Sequence, residues 1–213
     1  MTGHRLLRGA VVPGGAHVRR LPDPARLAAL AADVASVVDL ALRSSVVVDR
    51  FTGVAVLDAE QAAEHGALGF VVRASGLTVD ARHDHPFLPA DPPREYENTA
   101  GDVLARFLAR AAEFADSVRL IEALVSDGFD YSVELPLGLR TERATGVGIV
   151  EGWRGTIVHR VELSGSGVLT RVKVVDPSFV NWAVLPLALT GIDVADFPLA
   201  NRSFNLSLAG NDL

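Results

Sequence analysis

Cysteine is absent from the 213-residue sequence. Its absence excludes disulfides, thiolate catalysis, and iron–sulfur, nickel or zinc sites held by thiolates of this chain. Long apolar runs are also missing: no stretch of about 18 consecutive apolar residues occurs, so no membrane-spanning helix is predicted. The opening MTGHRLLRGAVVPGG contains no apolar segment of signal-peptide length. These absences favour a cytoplasmic chain, either soluble or attached peripherally to a membrane.

Clustered positive charge is scarce as well. The net charge is -6, and beyond the Arg19–Arg20 pair no run of Lys or Arg occurs, which argues against a nucleic-acid partner. Hydrophobic residues make up 49% of the chain and charged residues 22%. This balance is typical of a folded globular protein that is long enough to form a substantial core.

Two long helices are predicted from apolar residues at helical spacing. The first begins after Asp23, a credible N-cap, with Pro24 at the first helical position. Its apolar stripe consists of Leu27, Leu30, Ala31, Val34, Val37, Val38, Ala41 and Leu42. The second helix lies within 99–128, where Asp102 and Arg106 are predicted to form an i,i+4 pair on the solvent face. Its stripe consists of Val103, Phe107, Ala111, Phe114, Val118, Ile121 and Val125.

The hydrophobic period changes from helical to two after about residue 130. Residues 147–163 and 168–176, separated by SGSG, are predicted to be the two strands of a β-hairpin. The fold class is therefore α+β: two long packed helices with a small antiparallel sheet and an irregular C-terminal tail. We expect one domain over 1–213, with 1–128 mainly helical and 129–213 forming the hairpin and tail.

The segment EGWRG, residues 151–155, places two charges inside an apolar strand sequence. A charge that enters a core is costly unless it is paired. The arginine fork can hold a carboxylate or a bound anion, and the flanking glycines suggest a bulge at Gly152 and close backbone approach at Gly155. The residues alone leave open whether Glu151 and Arg154 form an internal lock or whether Arg154 belongs to a site.

Several sequence blocks follow one another in an order typical of one protein family. They are TGHRLLRGAVVPGG (2–15), FTGVAVLDAEQAAEHGALG (51–69), RASGLTVDAR (73–82), GDVLARFLARAAEFADSVRLI (101–121), EGWRGTIVH (151–159), DPSFVNW (176–182) and DFPLANRSFNL (196–206). The series resembles the large subunit of membrane-bound, energy-converting nickel–iron hydrogenases of the formate-hydrogenlyase type. It equally resembles the homologous D subunit of complex I, the NADH–quinone oxidoreductase. The chain corresponds to the C-terminal part of these subunits.

The resemblance assigns roles to three residues. The family's E-x-x-R-G segment matches Glu151, Arg154 and Gly155, and in the hydrogenases its arginine stands over the metal site. Arg154 and Glu151 are therefore the catalytic candidates, with Glu151 supporting the arginine. His159 matches a family histidine and is the candidate for cofactor binding.

Two departures from the family pattern limit what is inherited. The C-terminal C-x-x-C of the hydrogenases falls on 207–210, which read Ser-Leu-Ala-Gly, so no metal site is predicted. The family's region before the G-x-R block carries the first cysteine pair in hydrogenases, or the quinone-binding His and Tyr in the complex I homologue. Here Met1 stands immediately before that block. We therefore expect either the C-terminal piece of a split or truncated large subunit, or a chain that works with a partner chain supplying the missing part.

The resemblance implies a subunit of a membrane-associated NADH–quinone oxidoreductase-like or hydrogenase-related redox complex, without a nickel–iron site. Oxidoreductase activity is expected only within that complex, with no cofactor bound by this chain and with NAD and quinone bound at the level of the complex. The expected partners are an iron–sulfur small subunit, membrane subunits and a separate N-terminal large-subunit chain. The expected location is the cytoplasmic face of the cell membrane, with peripheral attachment.

The alternative is a non-catalytic scaffold fragment that docks an iron–sulfur partner. Such a fragment should leave one apolar stripe uncovered, either Val103/Phe107/Phe114 or Leu27/Leu30/Val34.

Overall fold

A computed structural model describes residues 3–4, 8–12, 15–86, 94–126 and 142–212. The chain divides into two compact units, one drawn from 1–41 and 111–139 and the other from 42–110 and 140–213. The single domain over 1–213 stays a prediction. None of the helices among the described residues is long and apolar enough to cross a bilayer.

Both predicted long helices are present. Helix α1 spans Pro24–Leu42, and Asp23 Oδ1 accepts the backbone N–H of Ala25 at 3.0 Å, which confirms the predicted N-cap. No residue of α1 is buried, so the contacts of this helix do not fully cover its apolar stripe. The second long helix, α6, spans Val103–Ser126.

Short helices account for most of the second unit before α6. They are α2 (Ser45–Phe51), α3 (Ala59–Glu64), α4 (Gly69–Ala74) and α5 (Ala81–Asp84). Helix α3 begins after the N-cap Asp58, whose Oδ1 accepts the N–H of Gln61 at 2.8 Å. All six residues of α4 are buried, which makes this helix the centre of the unit.

The core of the second unit surrounds α4. Phe70 and Val71 of α4 pack with Leu57 and with two residues from the C-terminal helices, Val184 and Phe204, and all five are fully buried. Burial of side chains of this size contributes about 1.5–3 kcal/mol each relative to exposure. The core therefore fixes α4 rigidly beneath the elements that pack on it.

The predicted hairpin is in fact a three-stranded antiparallel sheet in the order β3-β4-β5. Strand β3 spans Ala144–Gly152, β4 spans Gly155–Leu163 and β5 spans Leu169–Val175. The segment predicted as one strand, 147–163, turns back on itself in its middle. Periodicity did not reveal this turn, because two apolar strands joined by two residues keep nearly the same alternation. Two further short strands, β1 (Val11–Val12) and β2 (Gly15–Ala16), form a separate antiparallel pair.

The C-terminal part is more regular than the predicted irregular tail. Helix α7 spans Pro177–Ala188, α8 spans Phe197–Phe204 after a 3₁₀ turn, and α9 spans Leu208–Asn211. Helix α8 ends at Asn205, whose left-handed backbone (φ 51°) is typical of a helix stop. The predicted α+β class, with two long helices and a small antiparallel sheet, is confirmed.

Candidate functional site

The EGWRG segment forms the tip of the β3–β4 hairpin. Gly152 pairs with Gly155, which leaves Trp153 and Arg154 as the two residues of the turn. The bulge predicted at Gly152 is therefore wrong. A two-residue connection favours glycine beside it because the turn needs unusual backbone angles. The turn explains how Arg154 can occur within an apolar strand sequence without entering the core.

The hairpin tip lies directly against the start of α4. Gly155 has a φ of 130°, and a Cβ placed on it would lie 2.7 Å from the backbone N of Gly69. Gly69 has a φ of 67°, and a Cβ there would lie 2.1 Å from the carbonyl oxygen of Arg154. The close approach and unusual φ expected at Gly155 are both present. Two glycines facing each other therefore anchor the turn on the buried helix.

Glu151 forms a buried ion pair, but its partner is Arg73 of α4. Glu151 Oε1 accepts a hydrogen bond from Arg73 Nη1 at 2.9 Å, and only 4% of the Glu151 side chain is exposed. Glu151 Oε2 accepts the backbone N–H of Ala81 at 3.1 Å and the hydroxyl of Thr156 at 3.1 Å. Of the two alternatives that the sequence left open, a Glu151–Arg154 lock is therefore not the one present, since the ion pair joins β3 to α4 instead.

The ion pair extends through a second carboxylate. Arg73 Nη1 lies 3.5 Å from Asp80 Oδ2, and Asp80 also accepts a 2.9 Å bond from Arg82 Nε. The side chain of Asp80 is 6% exposed, whereas that of Arg82 is 43% exposed. Two acids and two arginines thus alternate from the interior towards the surface, and the charges balance within this network.

The two carboxylates respond differently to this environment. Burial raises the pKa of Glu151, and the nearby charge and hydrogen bond of Arg73 only partly oppose the increase. Burial also acts to raise the pKa of Asp80, but hydrogen bonds from Arg82 and the charges of Arg73 and Arg82 outweigh it, so this pKa is lowered. The more deeply placed Glu151 therefore carries the larger desolvation cost.

Arg154 contacts the loop after α8 and does not contact Glu151. Its Nε donates to the backbone carbonyl of Asn205, and its Nη2 lies 3.4 Å from Asn205 Oδ1. The guanidinium is half-buried. The predicted role of Arg154 at a site and the predicted support by Glu151 both stay predictions.

His159 lies apart from the hairpin tip. It is exposed on β4, opposite Gly148 of β3 and Val174 of β5. Four residues separate it from Gly155, which corresponds to about 13 Å along an extended strand. The structure does not bring His159 together with Arg154, and its predicted role in cofactor binding stays a prediction.

Arg106 of α6 is a buried arginine whose position the sequence analysis misjudged. The predicted solvent-face pair with Asp102 is wrong, because Arg106 is 0% exposed and Asp102 is 3% exposed. Arg106 donates to Ser203 Oγ at 2.9 Å, to the carbonyl of Gly101 at 2.6 Å and to the carbonyl of Ala55 at 2.8 Å. Arg106 follows Val103 by three positions and so lies on the apolar face of the helix, which was the sequence signal that it is buried.

Arg106 remains a cation at neutral pH in this position. Burial lowers its pKa to about 9, and the charge of Asp102 opposes that change. Its guanidinium carbon also lies 4.4 Å from the ring centre of Phe204. Arg106 thus joins α6 to α8 and to the loop before α3.

The segment that matches the hydrogenases' second cysteine pair has no metal-binding geometry. Ser207 Oγ accepts the N–H of Gly210 at 3.0 Å and so serves as the N-cap of α9. Gly210 is buried so closely that a Cβ would lie 2.4 Å from Asp176 Cγ. A hydroxyl and a glycine do not suit a soft metal that thiolates hold, so these residues do not fit a nickel–iron centre. No group of three or more His, Asp or Glu side chains gathers at metal-binding distance in the described ranges.

Comparison with known proteins shows which family this chain resembles. The model for the 49 kDa subunit of respiratory-chain NADH dehydrogenase matches residues 1–134. A D-type subunit of the NADH-quinone oxidoreductase of Herpetosiphon aurantiacus is 30% identical, over 81% of this chain and 49% of its own. The carbon monoxide-induced hydrogenase of Rhodospirillum rubrum is 28% identical, over 75% of this chain and 45% of its own.

A solved structure is similar over nearly the whole chain. It comes from the membrane-bound sulfane sulfur reductase, an archaeal respiratory membrane complex. The TM-score is 0.79 at 25% identity, and the match covers 95% of this chain and 59% of the other.

The chain spans about half the length of the first curated relatives it matches. The family model nevertheless covers more than half of this chain, including α1 to α5, α6 and their connections. The chain therefore belongs to the family of the 49 kDa subunit of respiratory-chain NADH dehydrogenase.

Proposed function

We propose that this chain is a subunit of a membrane-associated redox complex of the NADH–quinone oxidoreductase or energy-converting hydrogenase type. The observation that carries the proposal is the family match over 1–134 combined with a fold shared with a respiratory membrane complex. The chain attaches peripherally, at the cytoplasmic face, to membrane subunits and to an iron–sulfur small subunit.

The proposed contribution of this chain is a preorganised wall of the quinone-handling cavity. The facing glycines and the Arg73–Glu151 pair hold the hairpin tip on α4, so Arg154 is presented without freedom to move far. A fixed cation next to a bound quinone would stabilise negative charge as the quinone is reduced. NAD would be bound elsewhere in the complex, and hydrogen activation at nickel is not proposed.

The exposed face of α1 is compatible with assembly into a complex. Leu30 is 48% exposed, Val37 is 65% exposed and Leu40 is 70% exposed. In the other stripe that the scaffold alternative named, Val103/Phe107/Phe114 on α6, Val103 is buried. An uncovered stripe on α1 is expected both for an active subunit and for a scaffold, so this feature does not favour the scaffold alternative.

Purification of the tagged chain from its native membranes tests the proposal. We expect an iron–sulfur protein and membrane subunits to co-purify with it, with iron–sulfur signals in electron paramagnetic resonance spectra. Recovery of a monomer free of such partners would refute the complex-subunit role.

Electron transfer to quinone in membrane vesicles tests the role of Arg154. We expect Arg154→Lys to lower the rate of quinone reduction while the complex still assembles, because an ammonium cannot reproduce the arginine fork. The matched control is Arg171→Lys on β5, which should leave the rate unchanged. Equal rates for wild type and Arg154→Lys would contradict the proposed cavity role.

A further inference from the structure

Arg110 of α6 has an unmet requirement for a hydrogen-bond acceptor. Its Nε is buried and has no hydrogen-bond partner. Its guanidinium carbon lies 5.5 Å from the ring centre of Phe70 and 5.3 Å from that of Trp153, so two neighbouring aromatic rings contact the cation. A buried donor without an acceptor is costly, and aromatic contacts do not replace the missing acceptor. An acceptor from outside the chain would remove this cost.

Two more arginines lie near Arg110 on other elements. Arg154 follows Trp153 in the hairpin turn, and its Nε donates to the carbonyl of Asn205. Asn205 caps the end of α8, where its backbone N–H donates to the carbonyl of Arg202 at 3.2 Å. The positive charges of Arg154 and Arg202 both act on Arg110, and we call these three residues the arginine cluster.

The arginine cluster contains no compensating acid. Within the part of the chain that the structure describes, no carboxylate pairs with any of the three guanidiniums. Burial lowers the pKa of Arg110, and the positive charges of Arg154 and Arg202 lower it further. Arg73 and Arg82, in contrast, share the carboxylates of Asp80 and Glu151.

Two of the three arginines in the cluster each have a structural role of their own. Arg202 lies in the last turn of α8, where a cation interacts favourably with the helix dipole. Arg154 stabilises the turn through Asn205. Neither role explains why a third cation lies beside Phe70 and Trp153 with its Nε unused. Arginines that are not paired with an acid suit a multiply charged oxyanion, because each guanidinium can hold two of its oxygens.

We propose that Arg110, Arg154 and Arg202 form a binding site for a phosphate group. A phosphate offers several acceptor oxygens and a charge near -2, which matches three guanidiniums better than a single carboxylate would. Trp153 is 40% exposed, so one wall of the site is open to solvent. The phosphate belongs either to a soluble molecule or to a lipid headgroup, and the experiment separates these sources.

Isothermal titration calorimetry with inorganic phosphate on the isolated full chain tests the proposal. We expect saturable binding in wild type and a loss of affinity of about tenfold in Arg110→Gln and in Arg202→Gln, the factor that one lost charge-assisted hydrogen bond of about 1.4 kcal/mol produces. Arg171→Gln is the matched control. It removes the same charge from the far end of β5, and it should change the affinity less than twofold. All titrations are made at one ionic strength, set with sodium chloride, so that general screening is constant.

A second measurement locates the bound phosphate. In a Trp182→Phe variant the only tryptophan is Trp153, and its fluorescence should change along the same saturation curve. If that variant does not fold, the thermal midpoint of the wild type in phosphate and in chloride of equal ionic strength replaces it, because a ligand that binds only the folded state raises the midpoint. Absence of saturable phosphate binding would overturn the proposal, and so would an equal loss in Arg171→Gln.

Vesicles distinguish the two sources of phosphate. Sedimentation with phosphatidylcholine vesicles that contain phosphatidic acid, but not with phosphatidylcholine alone, would assign the site to a lipid headgroup if Arg110→Gln abolishes it. Saturable inorganic phosphate binding without vesicle binding would assign it to a soluble ligand. Both outcomes concern the isolated chain, so they are independent of whether the chain joins the proposed redox complex.

Discussion

Replacing Arg73 with methionine should destabilise the protein strongly. Arg73 is 5% exposed and faces two carboxylates whose side chains are 4% and 6% exposed. Methionine fills a similar volume but leaves Glu151 and Asp80 without their shared cation. Breaking a buried ion pair by removing one partner costs about 3–5 kcal/mol, a large fraction of the 5–15 kcal/mol that is typical of a domain. We expect a corresponding fall in the free energy of unfolding, measured by urea denaturation at pH 7.

The cost of Arg73→Met should depend on pH. Without Arg73, Glu151 can escape the penalty of a buried charge by binding a proton, and each pH unit changes that option by up to about 1.4 kcal/mol. The variant should therefore lose about 1–3 kcal/mol less at pH 5 than at pH 7. The double variant Arg73→Met, Glu151→Leu should recover much of the loss at pH 7, because no uncompensated carboxylate remains at that position.

The control for this experiment is Arg82→Met. Arg82 also binds Asp80, but its side chain is 43% exposed, so its loss should cost only about 0–1 kcal/mol. A cost below about 1 kcal/mol for Arg73→Met at pH 7, or equal costs for the two arginines, would refute the conclusion that the buried pair anchors the hairpin.

Four further substitutions test the hairpin tip, the acids near it and the cap of α9. In the folded state the pKa of Asp80 is lowered, so the stability that Asp80 contributes is lost as the pH falls from 3.8 through the lowered pKa. The pKa of Glu151 is raised, so Glu151 lowers the stability as the pH rises from 4.5 through the raised pKa. Urea midpoints of Asp80→Asn and Glu151→Gln between pH 3 and 7 should each lose the matching slope, and unchanged slopes would contradict the assignment. Gly155→Ala should cost more than about 1 kcal/mol, because Gly155 has a φ of 130° and faces the backbone of Gly69. The control Gly148→Ala on β3 has open space around it and should cost less than that. Similar thermal midpoints for the two variants would argue against the close approach at Gly155. Ser207→Ala should cost about 0.5–2 kcal/mol by removing the cap of α9, measured by urea denaturation, and no change would mean that the cap contributes nothing.

The candidate site was predictable only in part. The E-x-x-R-G pattern identified Glu151 and Arg154 as unusual. In the structure Glu151 forms a buried ion pair, and Arg154 lies in the turn between β3 and β4. The partner of Glu151 was not predictable, since Arg73 lies 78 positions away in the sequence. The arginine cluster was missed for the same reason, because its three members come from a helix, a turn and the end of another helix.

What the sequence determined by itself is what depends on neighbours along the chain. The helix starts at Asp23 and Asp58 follow from local hydrogen bonding, and the two long helices follow from a repeated apolar spacing. The tertiary structure alone decided which charges are buried together and where the strand reverses. Those outcomes depend on desolvation and on contacts between distant segments, and neither quantity is encoded in the spacing of nearby residues.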